Sequence, residues 1–524
     1  MPKHRHGKGA SGATGTVNFD GLTFAATLLG AGLLDALVRP RAGEGGAIGL
    51  RAGWGLWLLA CMTGALHGLF LAICGNGAVA MVLVLAVQAL LALASNAKHA
   101  MLGEPLLFSD LALVGAVFRH PQFYLSAVRS WQRVTAGIVG ALLVAAIAWL
   151  SLADLAAHLR GLALMAGSLA ALALSLRLPA VARLAAVPDA PGDTRRLGLY
   201  PALLLYWRRW RESRDPAPCV SQARRPAQPH DAPELVVIVQ CESFADPVEL
   251  FGDPALALPG LTAAREGACM WGNLEVSGFG AYTMRTEYGV LFGREEAALG
   301  FRRYDPFLTA LGEGSYALPA RLLEDGAGWR SLFLHPHDMR FYGRDRIMPA
   351  GGFARLVGEE SFAPPRVGEG RYVTDAAMAD EILALAAAAQ APTMLYAVTI
   401  ENHGPWAPGG VAGGDLVPGY LHLVRRSDAM LTRLSEGLAA LRRPALLVFF
   451  GDHRPSIPGA TEPTGDRHTP YVMLRMDGGG CLVPGDRRRE HLTPAALHHA
   501  ILAVTLGSAS MAVKDLEVGR GQQA

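Results

Sequence analysis

The chain has 524 residues, a hydrophobic fraction of 51% and a formal net charge of +2. It is too long for one ordinary domain. So near-neutral a charge excludes neither a membrane nor an acidic partner, and no nucleic-acid partner is expected. The mean hydropathy of +0.26 is high for a soluble enzyme. The excess is concentrated before about residue 180, where Leu, Ala, Val and Gly dominate, whereas the chain after about residue 233 reads as a soluble α/β protein.

In chain order, apolar runs of spanning length fall at 21–38, 54–73, 77–95, 134–153 and 161–178. A helix needs about 20 mostly apolar residues to cross a bilayer, so residues 1–178 are expected to form a polytopic α-helical membrane domain of about five spans. A shorter run, "PLLFSDLALVGAVF", carries Asp110 and is expected to be re-entrant or interfacial. No cleavable signal peptide is expected, because more spans follow the first run. Lys3, Arg5 and Lys8 favour a cytoplasmic start, which after five spans leaves the remainder outside. Counted alone, Arg39, Arg41, Arg51, Lys98, Arg119, Arg129 and Arg133 favour the opposite orientation. Residues 179–232, with "YWRRWRESR", are read as a juxtamembrane basic linker, either a helix among lipid headgroups or a solvated tether.

From 233 to 510, continuous apolar strands alternate with helical stretches: 234–240, 331–335, 393–400, 445–451 and 470–476. Residues 511–524 are left as a tail. That alternation predicts a mainly parallel sheet buried on both faces, with reactive groups beyond the carboxyl ends of its strands. Four expected strand ends carry ligand-type residues: Glu242, His335, Asn402 with His403, and Asp452 with His453. Six cysteines, at 61, 74, 219, 241, 269 and 481, show no CxxC spacing, so neither a zinc knuckle nor a redox pair is suggested. Whether Cys269 and Cys481 pair is left open by the sequence.

The stretch "EVSGFGAYTMRTEYGVLFG" places Thr283 at the end of a glycine loop, where a helix is ready to start. Carboxylates, imidazole and a hydroxyl form a mixed oxygen and nitrogen set suited to manganese, zinc or magnesium. A bound cation lowers the pKa of a threonine hydroxyl, otherwise a poor nucleophile. The helix start would aim backbone N–H groups at an anion.

In order, "ESF", "GAYTMRTEYGVLFG", "HPHDMRFYGRD", "ENHGPW" and "GDH" resemble the lipoteichoic acid synthase and phosphoglycerol transferase branch of the alkaline phosphatase superfamily. The resemblance implies a sulfatase-like α/β/α catalytic domain outside the cytoplasm, on the inner (plasma) membrane, and it overrides the arginine count. Its metal ligands fall on Glu242, Thr283, Asp452 and His453, with Thr283 as nucleophile and one divalent ion, Mn²⁺ foremost. Its phosphoglycerol contacts fall on His335, Tyr342, Arg344 and His403, although the better-known Gram-positive synthases carry Trp where Tyr342 stands. Arg285, Glu287, Asn402 and His468 are expected to support the site or to be structural. The implied donor is phosphatidylglycerol and the acceptor an envelope glycan or polyglycerolphosphate. Phosphoethanolamine transfer, or hydrolysis by a sulfatase or phosphodiesterase, is the alternative within the superfamily.

Overall fold

The computed structural model describes residues 11–42, 51–110, 155–213 and 232–506, with isolated positions between 138 and 145 and without 325, 367–368, 407–415, 464 and 486–487. Nearly all of the expected span 134–153, the greater part of 105–118, the tail 511–524 and Cys219 lie outside the described residues. So do Lys3, Arg5, Lys8, Arg119, Arg129 and Arg133. The chain divides into two units, residues 1–213 and 214–524.

The first unit is helical. Gly53–Cys74, Gly77–Leu102 and Leu155–Arg177 are long and apolar enough to cross a membrane. The first apolar run, 21–38, falls on the Ser11–Ala36 helix except for its last two residues. Leu29, Leu33, Leu90, Leu93 and Leu159 point outward and exposed, as expected for side chains that meet lipid rather than water. Small residues let two helices touch: a Cβ on Gly68 would lie 2.4 Å from the Met165 nitrogen, and one on Gly161 2.3 Å from the Ala72 nitrogen. Such contacts replace the missing hydrophobic drive between helices in lipid. Buried polar pairs, Thr27 with His67 at 2.9 Å and Gln88 with Thr63 at 2.9 Å, cross-link the same bundle.

Arg51 is a clamp rather than a surface charge. It pairs with Asp35 at 3.1 Å and donates to the carbonyls of Asp35, Val38 and Thr194. Asp35 in turn accepts from the Leu199 amide at 2.9 Å, tying a helix start to a helix end. Residues 190–213 thereby belong to the helical unit, not to a free linker. Helix Leu199–Glu212 buries its "LYPA" start, while Trp207 stays exposed with the Arg211 guanidinium 4.9 Å from its ring. The apolar half of "LYPALLLYWRRW" is what packs; its arginines marked the other half.

The second unit is a three-layer α/β/α domain on one eight-stranded sheet, ordered β4-β3-β5-β1-β6-β7-β2-β8. The strands are β1 (Leu235–Cys241), β2 (Met270–Leu274), β3 (Arg330–Leu334), β4 (Arg355–Val357), β5 (Thr393–Val398), β6 (Ala445–Gly451), β7 (Thr469–Met476) and β8 (Arg489–Leu492). The five expected strands are present. β2, β4 and β8 were not foreseen, being short and lacking a long apolar run. The sheet is mixed, because β7 runs antiparallel to both β6 and β2.

Every residue of β1, β5 and β6 is buried. Alternate residues of β1 feed two cores: Leu235, Val237 and Val239 face one, Val236 and Ile238 the other. The first core is closed by residues of helices Asp375–Ala388 and Val417–Ala440, the second by Thr283–Phe292 and Pro494–Leu506. Full burial of each such aliphatic side chain contributes about 1.5–3 kcal/mol, so the sheet centre supplies much of what holds the unit together. The adjacent order β3-β5-β1-β6 then lines up four parallel carboxyl ends side by side.

Gly451 closes β6 where the chain brushes the β1 loop: a Cβ there would stand 1.9 Å from the Phe244 carbonyl oxygen. Gly451→Ala is expected to destabilise the protein by about 1–3 kcal/mol through overpacking and to displace Asp452. A melting temperature equal to that of the parent protein would contradict this.

Candidate active site and metal centre

Two of the four strand ends bring three ligand-type residues to one buried point. Glu242 leaves β1, and Asp452 and His453 leave β6; one ligand atom from each lies within 4.8 Å of the others. Asp452 is held by its neighbours rather than by a counter-ion. Its Oδ1 accepts the Ser243 amide at 2.8 Å and the His453 amide at 2.8 Å. Its Oδ2 is buried and makes no hydrogen bond. His453 donates from Nδ1 to the Arg454 carbonyl at 3.1 Å, which leaves the Nε2 lone pair directed at the acids. That Nε2 stands 3.5 Å from Glu242 Oε1 and 3.5 Å from Asp452 Oδ2.

Burial, and then the Glu242 charge, push the Asp452 carboxyl well above the usual carboxylate range. For His453, burial works against protonation, but the charges of Asp452 and Glu242 outweigh it and raise its pKa. Two crowded acids, an orphaned carboxylate oxygen and an imidazole whose Nε2 faces them form a set that gathers negative charge in a buried place. A divalent ion bound by oxygen and nitrogen fits it.

The hydroxyl arrives by a strained turn. Tyr282, at φ 76°, sits in the left-handed region immediately before helix Thr283–Phe292, and no side chain caps that helix start. Thr283 is anchored from behind, its carbonyl accepting from Gln240 Nε2 at 3.3 Å. Its hydroxyl lies against Asp452, where it offsets part of the rise in that carboxyl's pKa. Thr286, one turn on, donates to the Asp452 carbonyl at 2.7 Å, so helix and strand end are fastened together.

A cavity of about 190 Å³ opens over Thr283, lined also by Glu242, His335, Tyr342, Arg344, His403 and His453. All four expected headgroup residues therefore reach it. His335 bonds the Val398 carbonyl at 3.0 Å through Nδ1, and burial followed by the Arg344 charge keeps it neutral. Arg344 is committed on one side. Its Nε and one terminal nitrogen are taken by the Glu287 carboxylate in a fully buried pair, so the guanidinium fork is not free to grip phosphate from both prongs. Removing one partner of such a pair costs about 3–5 kcal/mol. Glu287 sits one helical turn after Thr283, so the pair fixes the arginine to the hydroxyl's own helix.

The supporting residues divide. Arg285 stacks on Tyr282 at 3.9 Å and lines a separate recess with Arg294 and Arg303. Asn402 is buried and accepts the Trp406 indole N–H at 3.1 Å, bracing the loop after β5. His468 lies between Asp466 and Glu249, 2.6 Å from the latter, away from the cavity. Cys269 and Cys481 are both free thiols, so the open pairing does not form. The sequence reading passed over His337, Phe341, Tyr282 and Tyr372, which also line the cavity. The second histidine of "HPH" was a usable signal for His337, whereas Tyr372 comes from a loop with no motif.

A second acid pair lies behind the site. Glu401 accepts the Asp375 amide at 2.7 Å, and Ser427 donates to Asp375 at 2.6 Å. Burial, then the Glu401 charge, raise the Asp375 pKa to about 7. The folded state thus retains a proton that the unfolded chain releases near pH 4. The associated stability is complete below that value and is lost as pH rises toward 7, at no more than about 1.4 kcal/mol per pH unit. Asp375→Asn is expected to flatten the melting-temperature profile between pH 4 and 7; parallel profiles for the two proteins would refute it.

A parallel-centred α/β/α sheet with a hydroxyl and a metal-type donor set at its carboxyl edge is the architecture of a sulfatase-like enzyme domain. The Sulfatase family matches residues 234–504, and the chain belongs to it. Over 409 residues the chain is 32% identical to the capsular polysaccharide biosynthesis protein RkpI of Rhizobium meliloti (strain 1021), covering 73% of this chain and 74% of that protein. A second protein of that strain, with a provisional assignment to cyclic beta-1,2-glucan modification, is 27% identical over 44% of this chain and 37% of its own length. Among solved structures, the fold is similar to the Streptococcus pyogenes phosphoglycerol transferase GacH in complex with sn-glycerol-1-phosphate. That similarity has 16% identity and a TM-score of 0.42, over 54% of this chain and 76% of that one.

Proposed function

We propose that the protein is a membrane-bound phosphoglycerol transferase that moves phosphoglycerol from phosphatidylglycerol to an envelope glycan. The observation that carries this reading is the Thr283 hydroxyl, set against a buried Glu242, Asp452 and His453 cluster at the base of a cavity lined by His335, Tyr342 and Arg344. Neutral imidazole and phenol groups suit the hydroxyls of glycerol better than the ammonium of ethanolamine, which would seek a free carboxylate. Among the described residues that line that cavity, the one carboxylate is Glu242, which belongs to the metal-type cluster.

Glu242, Asp452, His453 and the Thr283 oxygen would hold one divalent ion, Mn²⁺ foremost. When bound, it would lower the hydroxyl pKa and offset charge on the phosphoryl oxygens. Thr283 Oγ attacks phosphorus, its proton passing to the acid cluster; the bond from phosphorus to the diacylglycerol oxygen breaks, and that oxygen leaves with a proton. Arg344, through the edge that Glu287 leaves open, faces the developing negative charge. The product of the first half is a phosphoglycerol–threonine ester. An acceptor hydroxyl then attacks the same phosphorus, and Thr283 regains its proton. His335, held by the Val398 carbonyl and kept neutral, is placed to donate to a glycerol oxygen.

The helical unit fits a donor that never leaves the bilayer, since tethering raises the encounter rate. We place the catalytic unit on the periplasmic side of the inner membrane. Arg51 and Lys98, which count against that orientation, are engaged in ion pairs with Asp35 and Asp110 inside the helical unit.

Thr283→Ala is expected to abolish release of diacylglycerol from phosphatidylglycerol while leaving the melting temperature within about 2 °C. Turnover near the parent rate would end the proposal, and a preference for phosphatidylethanolamine would redirect it. Asp452→Asn is expected to weaken Mn²⁺ binding by at least about 100-fold in calorimetry, a larger loss than the 10–100-fold that removing a supporting partner causes.

A further inference from the structure

Beside the headgroup cavity lies a second one of about 690 Å³. The two share a wall, because Tyr372 and His403 line both. At about 190 Å³ the first is below the usual range of about 300–1,000 Å³ for ligand sites, while the second falls within it. A phosphoglycerol ester on Thr283 would occupy the small cavity. Its attacker must approach from an adjoining space large enough for the acceptor. We propose that the larger cavity is the acceptor subsite and that it takes an uncharged saccharide; this rests on the transfer reading above.

The lining chemistry selects that occupant. The floor is apolar and fixed: Trp406 is held by its indole N–H on the Asn402 carbonyls, 3.1 Å each, and packs edge-on to Tyr420. Gly419 seals it, since a Cβ there would lie 2.0 Å from the Trp406 carbonyl oxygen. Around this floor stand polar groups. Arg371 lies 4.2 Å over the Tyr372 ring, and Glu369, His403 and His422 complete the rim. Sugars present C–H faces and hydroxyl edges together, and an apolar floor with donors and acceptors at its margin meets both. Acyl chains would leave those charged rim groups without water, at high cost. A polyglycerolphosphate chain would bring its negative charges against Glu369, while Glu401, paired with Arg426 at 2.9 Å, adds little to that repulsion.

The test uses the full chain in lipid nanodiscs containing phosphatidylglycerol, with neutral cyclic β-1,2-glucan as probe. His422 lies on the exposed side of helix Val417–Ala440, lines only the larger cavity and can be enlarged without touching Thr283. His422→Trp is expected to leave the single-turnover burst of diacylglycerol within about twofold of the parent and to lower transfer to glucan at least tenfold, through a higher glucan KM. Equal loss of burst and transfer would assign the cavity to the donor lipid, and unchanged transfer would place the acceptor elsewhere; either result overturns the proposal. Glucan binding is also measured on Thr283→Ala alone and combined with His422→Trp, since neither protein turns over. A tenfold weaker affinity in the combined variant supports the subsite even if phosphatidylglycerol proves the wrong donor; equal affinity sinks it. Absence of any diacylglycerol burst in the parent protein would count against the transfer reading only.

Discussion

The catalytic unit depends on one unresolved electrostatic demand: two carboxylates and an imidazole buried within contact of one another. Glu242 and Asp452 repel, and burial removes the water that would screen them. The arrangement persists because the sheet does not let it relax. Asp452 is gripped through Oδ1 by two backbone amides, and β1 and β6 are paired along their whole length up to Cys241 and Gly451. The stiffness of an apolar core is thus converted into a fixed donor set, and a cation is the simplest way to satisfy it.

Around that point the remaining groups are oriented by bonds made on their far sides. His453 and His335 each use Nδ1 on a backbone carbonyl, which turns Nε2 toward the cavity. Arg344 is held by Glu287, and Glu287 belongs to the helix that begins with Thr283. Thr283 and Arg344 are therefore tied to the same helix. A side chain that is pre-positioned pays little ordering entropy when substrate arrives.

The helical unit obeys a different logic. Its exterior is apolar, its interior carries the polar contacts, and glycines rather than large side chains set the closest approach of helices. Arg51 shows how a charge is tolerated there: one carboxylate and several carbonyls absorb it at once. The basic segment, read as either a headgroup helix or a tether, is partly recruited to this unit, because its apolar stripe had to be covered.

Much of this was legible in the one-dimensional chain. Apolar runs of about 20 residues mark helices for lipid, and short continuous runs mark a sheet buried on both faces, since each pattern follows from local periodicity and solvent. The positions just after β1, β3 and β6 also picked out Glu242, His335, Asp452 and His453, because parallel strands deliver the residues that follow them to a common edge. Three features needed the tertiary structure. The short edge strands β2, β4 and β8 have too few residues to show a period. The Glu287–Arg344 pair joins positions 57 apart in sequence, with no spacing rule to link them. The second cavity exists only where the loop bearing Tyr372, the Trp406 turn and the start of helix Val417–Ala440 meet, and enclosure is a property of packing that no linear pattern encodes.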